Sequence, residues 1–258
     1  MWTNEHSWKA RCRASGIHLT ISLAVAAFAA ALVFGLWYPY PYREISGGRD
    51  LFWLVVTVDV VMGPLLTLAI FDTRKPWRVL RRDLVVIGLL QLGALFYGLW
   101  TVAAARPVHL VFEIDRFRVV HAVDVPPQLL GQAPERLRSL PLTGPTLLSV
   151  RGFHNDQEKL NVTMEAMAGI DIGSRPELWQ SYEAAKPQVL AEMRPLTELK
   201  ARFPQQAADI DEALKPRREG RLDSAIGFIP LASRLSFWTV LLDTQTAEVI
   251  AFVPIDSF

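Results

Sequence analysis

Apolar residues fill three long runs in the first 105 positions of this 258-residue chain, from about Ile17 to Trp37, Leu51 to Phe71 and Leu84 to Ala104. Each approaches the roughly 20 residues a helix needs to cross a hydrocarbon core. A buried helix of a soluble protein accounts for one such run, but poorly for three in succession joined by short charged or Pro-containing links. The pattern predicts a three-helix transmembrane domain over residues 1–105.

The periodicity changes after Arg106-Pro107. Val108–Ile114 and Arg118–Val123 read as strands of a hairpin turning at Asp115-Arg116. Residues 128–148 are Pro- and Leu-rich and read as a short helix or loop. Over 176–215 the apolar positions Leu178, Trp179, Tyr182, Ala185 and Val189 recur at steps of three and four, with Pro187, Pro195 and Pro204 interrupting. That spacing predicts two or three short helices. Ala225–Leu231, Leu235–Leu242 and Ala247–Val253 return to strand character. Strands at both ends with helices between predict an α+β domain over 106–258, an antiparallel sheet with short helices.

Charge orients the membrane part. Lys9, Arg11 and Arg13 precede the first run, and Arg74, Lys75, Arg78, Arg81 and Arg82 lie between the second and third. In the link Tyr38–Asp50, Arg43 and Arg49 are matched by Glu44 and Asp50. Basic short loops stay cytoplasmic, so the N-terminus and the Asp72–Asp83 loop are expected inside a bacterial inner membrane, with residues 106–258 in the periplasm. The first run is too long for a signal-peptide core, and Trp37-Tyr38-Pro39-Tyr40 after it has no small-residue cleavage signal. Residues 1–105 carry 10 Lys and Arg against 6 Asp and Glu, and the remainder 17 against 20. Such a mildly acidic outer domain lacks the basic stripe of a nucleic-acid binder. The single cysteine, Cys12, falls on the cytoplasmic side, so the outer domain has no disulfide.

Within the membrane part, Asp59 sits mid-run in Val58-Asp59-Val60-Val61-Met62-Gly63-Pro64. A carboxylate at that depth costs about 2.5–3.5 kcal/mol even on lenient scales. Pro64 has no amide hydrogen and would clash with the Val60 carbonyl, so a kink near Met62–Pro64 is expected. Asp59 has three readings: it satisfies that local defect or bonds Tyr97 or Gln91 of the third helix, it is a polar handle for a partner helix, or it relays protons. Taking the third helix to begin at Leu84 puts Tyr97 at the depth of Asp59 and Gln91 more than a turn away. Ala24, Ala27 and Ala31 recur at spacings that allow close helix approach, read first as packing within the bundle, with a face for another protein's transmembrane helix as the alternative.

A search for catalytic chemistry finds no Gly-rich phosphate loop, paired-His metal spacing, CxxC or nucleophile elbow. His109 and His121 meet across the proposed hairpin only if its register allows, with Glu113 or Asp115 as further ligands; satisfied strand histidines are the plainer reading. No enzyme, cofactor or metal site is expected.

Several blocks resemble the type IV pilin accessory proteins of the TfpX/TfpZ group. They are Arg13-Ala14-Ser15-Gly16-Ile17-His18-Leu19, Leu36-Trp37-Tyr38-Pro39 and Val58 to Leu68. Leu95 to Val102, Ala105 to Val108, Phe112 to Phe117 and the ending from Pro230 to Asp256 continue the likeness. It spans essentially the whole chain and is weakest around 128–220. The resemblance implies a non-enzymatic, chaperone-like inner-membrane factor that binds pilin subunits and promotes their stability or assembly; the hypothesis added to it is dual contact, helices with the pilin stem and residues 106–258 with its globular head. The pilus assembly machinery and the lipid bilayer are its further implied partners, and Asp59, Gly63, Pro64, Tyr97 and Gln91 are the candidate contacts for a partner helix. A membrane-anchored ligand-binding or sensor protein is the alternative, although the short cytoplasmic parts leave no room for an output domain.

Overall fold

The computed structural model describes residues 2–217 and 222–258. Three helices, Ser7–Trp37, Gly48–Ile70 and Trp77–Ala104, are long and apolar enough to cross a membrane. Each covers most of its predicted run, and the first and third start earlier, inside the basic flanks. The third helix stops just before Arg106-Pro107, where the residue preceding a proline is pushed out of helical geometry. The chain divides into two compact units: Met1–Pro39 with Gly47–Ala104, and Tyr40–Ser46 with Ala105–Phe258.

In the first unit the helices pack through a small core of Ala29, Val33, Tyr38, Phe52 and Val102. Phe34 meets Phe52 edge to face at 4.9 Å, and the buried Tyr38 hydroxyl donates to the Val102 carbonyl at 3.2 Å. Gly98 is needed where it stands, because a Cβ there would come within 2.7 Å of the Val55 side chain. At the basic end Arg11 pairs with Asp72 at 3.1 Å, and Lys75 bridges Asp83 (2.7 Å) and the Ile70 carbonyl (3.0 Å).

The second unit is built on a sheet of strands β1 (Pro107–Glu113), β2 (Arg116–His121), β3 (Thr146–Val150), β4 (Trp179–Ser181), β5 (Arg194–Pro195), β6 (Ile226–Ala232), β7 (Phe237–Asp243) and β8 (Val249–Val253). The order is β4-β3-β1-β2-β6-β7-β8, with β5 pairing β6. β1–β2 and β6–β7–β8 are antiparallel, as predicted, but β1 pairs β3 and β2 pairs β6 in parallel. The sheet is therefore mixed, which corrects the antiparallel expectation. The physical reason is burial on both faces: every residue of β1 and of β6 is buried. Strands buried on both faces suit parallel neighbours: β6 is apolar throughout and β1 is broken only by His109 and Glu113, and the long segments after β2 provide the crossovers that parallel pairing needs. The two ends of the domain join through β2 and β6, and the first and last strands do not meet.

Strands β3, β4 and β5 and one helix escaped the sequence pattern. β3 lies in the stretch read as helix or loop, and a helix forms over Asp156–Met167, capped by Asn155, whose side chain accepts from the Glu158 amide at 2.8 Å. The expected short helices occur at Tyr182–Glu192, Leu196–Arg202 and Ala207–Leu214. Trp179 is a β4 residue instead, its indole donating to the Gly173 carbonyl at 2.8 Å.

One sheet face packs Leu110, Phe112, Phe117, Val119 and Ile229 against Ala185 and Val189 of helix Tyr182–Glu192, and against Tyr42 and Ile45. Those last two come from the link between the first two long helices. Ile45 has no exposed surface, its carbonyl accepts from Ser236 Oγ at 3.2 Å, and Tyr42 lies edge to face on Phe252 at 5.8 Å. The other face carries Leu196, Leu199, Ile210 and Leu214 over β6–β8, and Val162 and Trp179 over β1–β3. Ile45→Ala is expected to lower the unfolding free energy of this unit by about 2–5 kcal/mol. Tyr40→Ala, at an exposed ring, should change it by no more than about 0.5 kcal/mol. Pulse proteolysis of the detergent-solubilised protein in a urea series reads both.

Candidate functional site

The second long helix loses α-helical register just before the Met62–Pro64 kink expected, widening to a π-helical turn over Val58–Met62 and resuming at Gly63. A step of five residues from Asp59 lands on Pro64, which has no N–H to give to the Asp59 carbonyl. Gln91 of the third helix supplies the missing donor. Its Nε2 donates to the Asp59 carbonyl at 3.1 Å and to Asp59 Oδ1 at 3.2 Å. Gly63 leaves the room for this, since a Cβ there would strike the Gln91 side chain.

Asp59, Gly63, Pro64 and Gln91 are thus brought together, with Asp59, Gly63 and Pro64 buried. Tyr97 is not part of this contact. Its ring is exposed and tilts against Trp100, with centroids 6.1 Å apart. The depth expectation that favoured Tyr97 is corrected by where the helix starts. It begins at Trp77, seven residues before Leu84, so positions level with Asp59 move toward Gln91 by nearly two turns.

Sequence reasoning missed the polar contacts of the first helix with this region. Ser15 Oγ donates to the Pro64 carbonyl at 2.9 Å, and His18 Nδ1 lies 2.5 Å from Thr67 Oγ1. The signal was present in the polar residues Arg11, Ser15, His18 and Ser22, which recur at helical spacing. The alanine lane was misread as internal packing: Ala24, Ala27 and Ala31 are exposed, and Ala29 makes the internal contact.

Elsewhere the chemistry is dispersed. His109 Nδ1 lies 2.7 Å from Thr146 Oγ1 with its ring edge-on to Trp179, whereas His121 Nδ1 faces Asp124 Oδ2 at 3.1 Å. Glu113 is held away from both by Arg118 (2.6 Å) and the Gly173 amide (2.7 Å). Burial pushes the Glu113 carboxyl up, against the pull of Arg118. Asp115 is taken by Arg116 at 2.7 Å. Among the described residues no three His, Cys, Asp or Glu side chains gather to hold a metal.

The molecule thus joins an apolar three-helix bundle, with one internal polar cluster, to a mixed-sheet domain. A family model described as the fimbrial assembly protein FimB matches residues 6–47. The chain is 36% identical over 258 residues to the fimbrial assembly protein of serogroup I from Dichelobacter nodosus, with 99% of each chain covered. It is 35% identical over 257 residues to the serogroup E1 protein of the same organism, again with 99% of each covered. Against the serogroups C1 and C2 protein identity is 39% over 132 residues, 51% of this chain and 98% of that one. No solved structure matches. The chain belongs to the FimB family of fimbrial assembly proteins.

Burial drops the His109 imidazole from 6.5 to about 4. Between those values the unfolded state takes up a proton that the native state refuses, so stability falls as pH falls from 6.5 toward 4. Lowering the pH from 7 to 5 should remove about 2 kcal/mol through this residue. Urea unfolding at both pH values checks it, with the His109→Gln variant expected to show a drop smaller by that amount.

Proposed function

We propose that this chain is a multi-pass inner-membrane accessory factor of type IV fimbriae, of the TfpX/TfpZ kind, that binds fimbrial subunits and promotes their stability or assembly without catalysing a reaction. The observation that carries this reading is the full-length likeness to fimbrial assembly proteins. The architecture supports it. Three helices have membrane-crossing length, and their basic ends meet where Arg11 pairs with Asp72. Tyr40–Ser46 folds with residues 105–258, so these segments share one side of any bilayer the helices cross, as the charge-based orientation requires. On this reading that side is the periplasm.

A fimbrial subunit awaiting assembly has an apolar stem in the membrane and a globular head outside it. The helical unit is the part of this chain suited to the stem, and residues 106–258 are the part suited to the head. The pilus assembly machinery is a further partner on the same reading.

Surface-sheared and total cellular fimbrial subunit, compared with and without this gene and after complementation, test the proposal. Loss of surface fimbriae with assembly-machine proteins still present is expected. A parallel fall in total subunit means stabilisation, and unchanged total subunit means delivery or assembly. No change in either quantity contradicts the proposal and favours a ligand-binding or sensor role.

A further inference from the structure

Between the second and third long helices runs a groove of about 270 Å3. Its walls repeat at helical spacing, with Leu54 and Val58 on one side and Ala94 and Tyr97 on the other. Gly98 forms part of its lining beside Val55 of the second helix, and the lane from Ala94 to Thr101 is about two turns long. The lining is almost wholly apolar except for Asp59, which is only 9% exposed.

Asp59 is incompletely satisfied there. Gln91 serves Oδ1, but among the described residues Oδ2 accepts no hydrogen bond, and it is not sealed inside the bundle. His18 is close enough to act on Asp59 electrostatically, yet its Nδ1 is engaged with Thr67 Oγ1. Hydrocarbon chains lying in this groove bring no donor, and a polar oxygen left unpaired in hydrocarbon is strongly unfavourable. A second helix meets both demands: small residues such as Ala94 and Gly98 admit its backbone, and one donor on it completes the carboxyl group.

We propose that this groove receives a membrane-spanning helix of another protein, apolar along its contact face and carrying one hydrogen-bond donor opposite Asp59. Resting on the functional reading above, that helix is the stem of the fimbrial subunit. The two-turn groove reads a short stretch of the stem, and the carboxyl oxygen fixes its depth.

Photoreactive residues placed at Leu54 and at Val58, in separate full-length variants in cells making fimbriae, test the groove. Ala27 on the exposed alanine face of the first helix serves as the comparison position. The expected result is a crosslink to the fimbrial subunit from Leu54 and Val58 at least tenfold stronger than from Ala27. In the Leu54 variant it should fall at least tenfold when Ala94→Phe fills the groove, and also with Asp59→Leu, while Asp59→Asn, which keeps an acceptor, retains most of it. Membrane levels of each variant, measured by immunoblot, separate loss of contact from loss of the protein; Ala94→Phe alters only an exposed position and is expected to accumulate normally. Lipid adducts alone from the groove, subunit crosslinks chiefly from Ala27, or a crosslink unaffected by Ala94→Phe would each overturn the inference. If fimbriation still depends on the gene, the functional proposal stands despite any of these results. If fimbriation does not depend on it, that proposal falls on its own evidence.

Discussion

Ile45 has no surface left for solvent because a sheet formed more than sixty residues downstream closes over it. With Tyr42 it fills a core that β1, β2, β6, β7 and helix Tyr182–Glu192 leave open on one face. A fully buried aliphatic side chain contributes about 1.5–3 kcal/mol, a large share of the 5–15 kcal/mol that holds a typical domain folded. The sheet domain therefore depends on seven residues that lie between two long apolar helices. Its core is complete only when Tyr42 and Ile45 of that link pack against residues 105–258.

The helical unit turns on a comparable dependence. Pro64 removes an amide from the second helix, the ladder shifts into a π-helical turn, and the carbonyl of Asp59 loses its partner. A single glutamine side chain serves both that carbonyl and the carboxyl group beside it. Gly63 admits the glutamine, and Ser15 and His18 hold the segment from the first helix. A costly polar position is thus fixed between helices with one oxygen to spare, the arrangement from which the groove proposal follows.

The three long helices and the five strands at the domain ends were legible because their apolar runs are long and bounded by charge or proline. β3 was not, since Thr146–Val150 follows directly on Pro141 and Pro145 and is too short to stand out. Helix Asp156–Met167 gave no apolar period: Val162 is its one buried residue, and its stability rests on the Asn155 cap and on the Arg151–Glu158 pair at 2.8 Å. Parallel pairing of β2 with β6 joins residues more than a hundred positions apart, which no local pattern encodes. At the candidate site the sequence offered Tyr97 and Gln91 as partners for Asp59 and put Gln91, which makes the contact, more than a turn away. It mistook the helix start, because Trp77–Asp83 is too charged to be read as part of an apolar run although it is helical.

The packing of the link into the sheet domain is tested most directly by cysteine labelling. Ile45→Cys and Tyr40→Cys, each in a Cys12→Ser background, are exposed to a maleimide in the detergent-solubilised protein. Tyr40 is 67% exposed and Ile45 is fully buried. The account predicts rapid labelling at position 40, and labelling at position 45 only after the domain is unfolded with urea. Equal labelling of both positions in the native protein would contradict it.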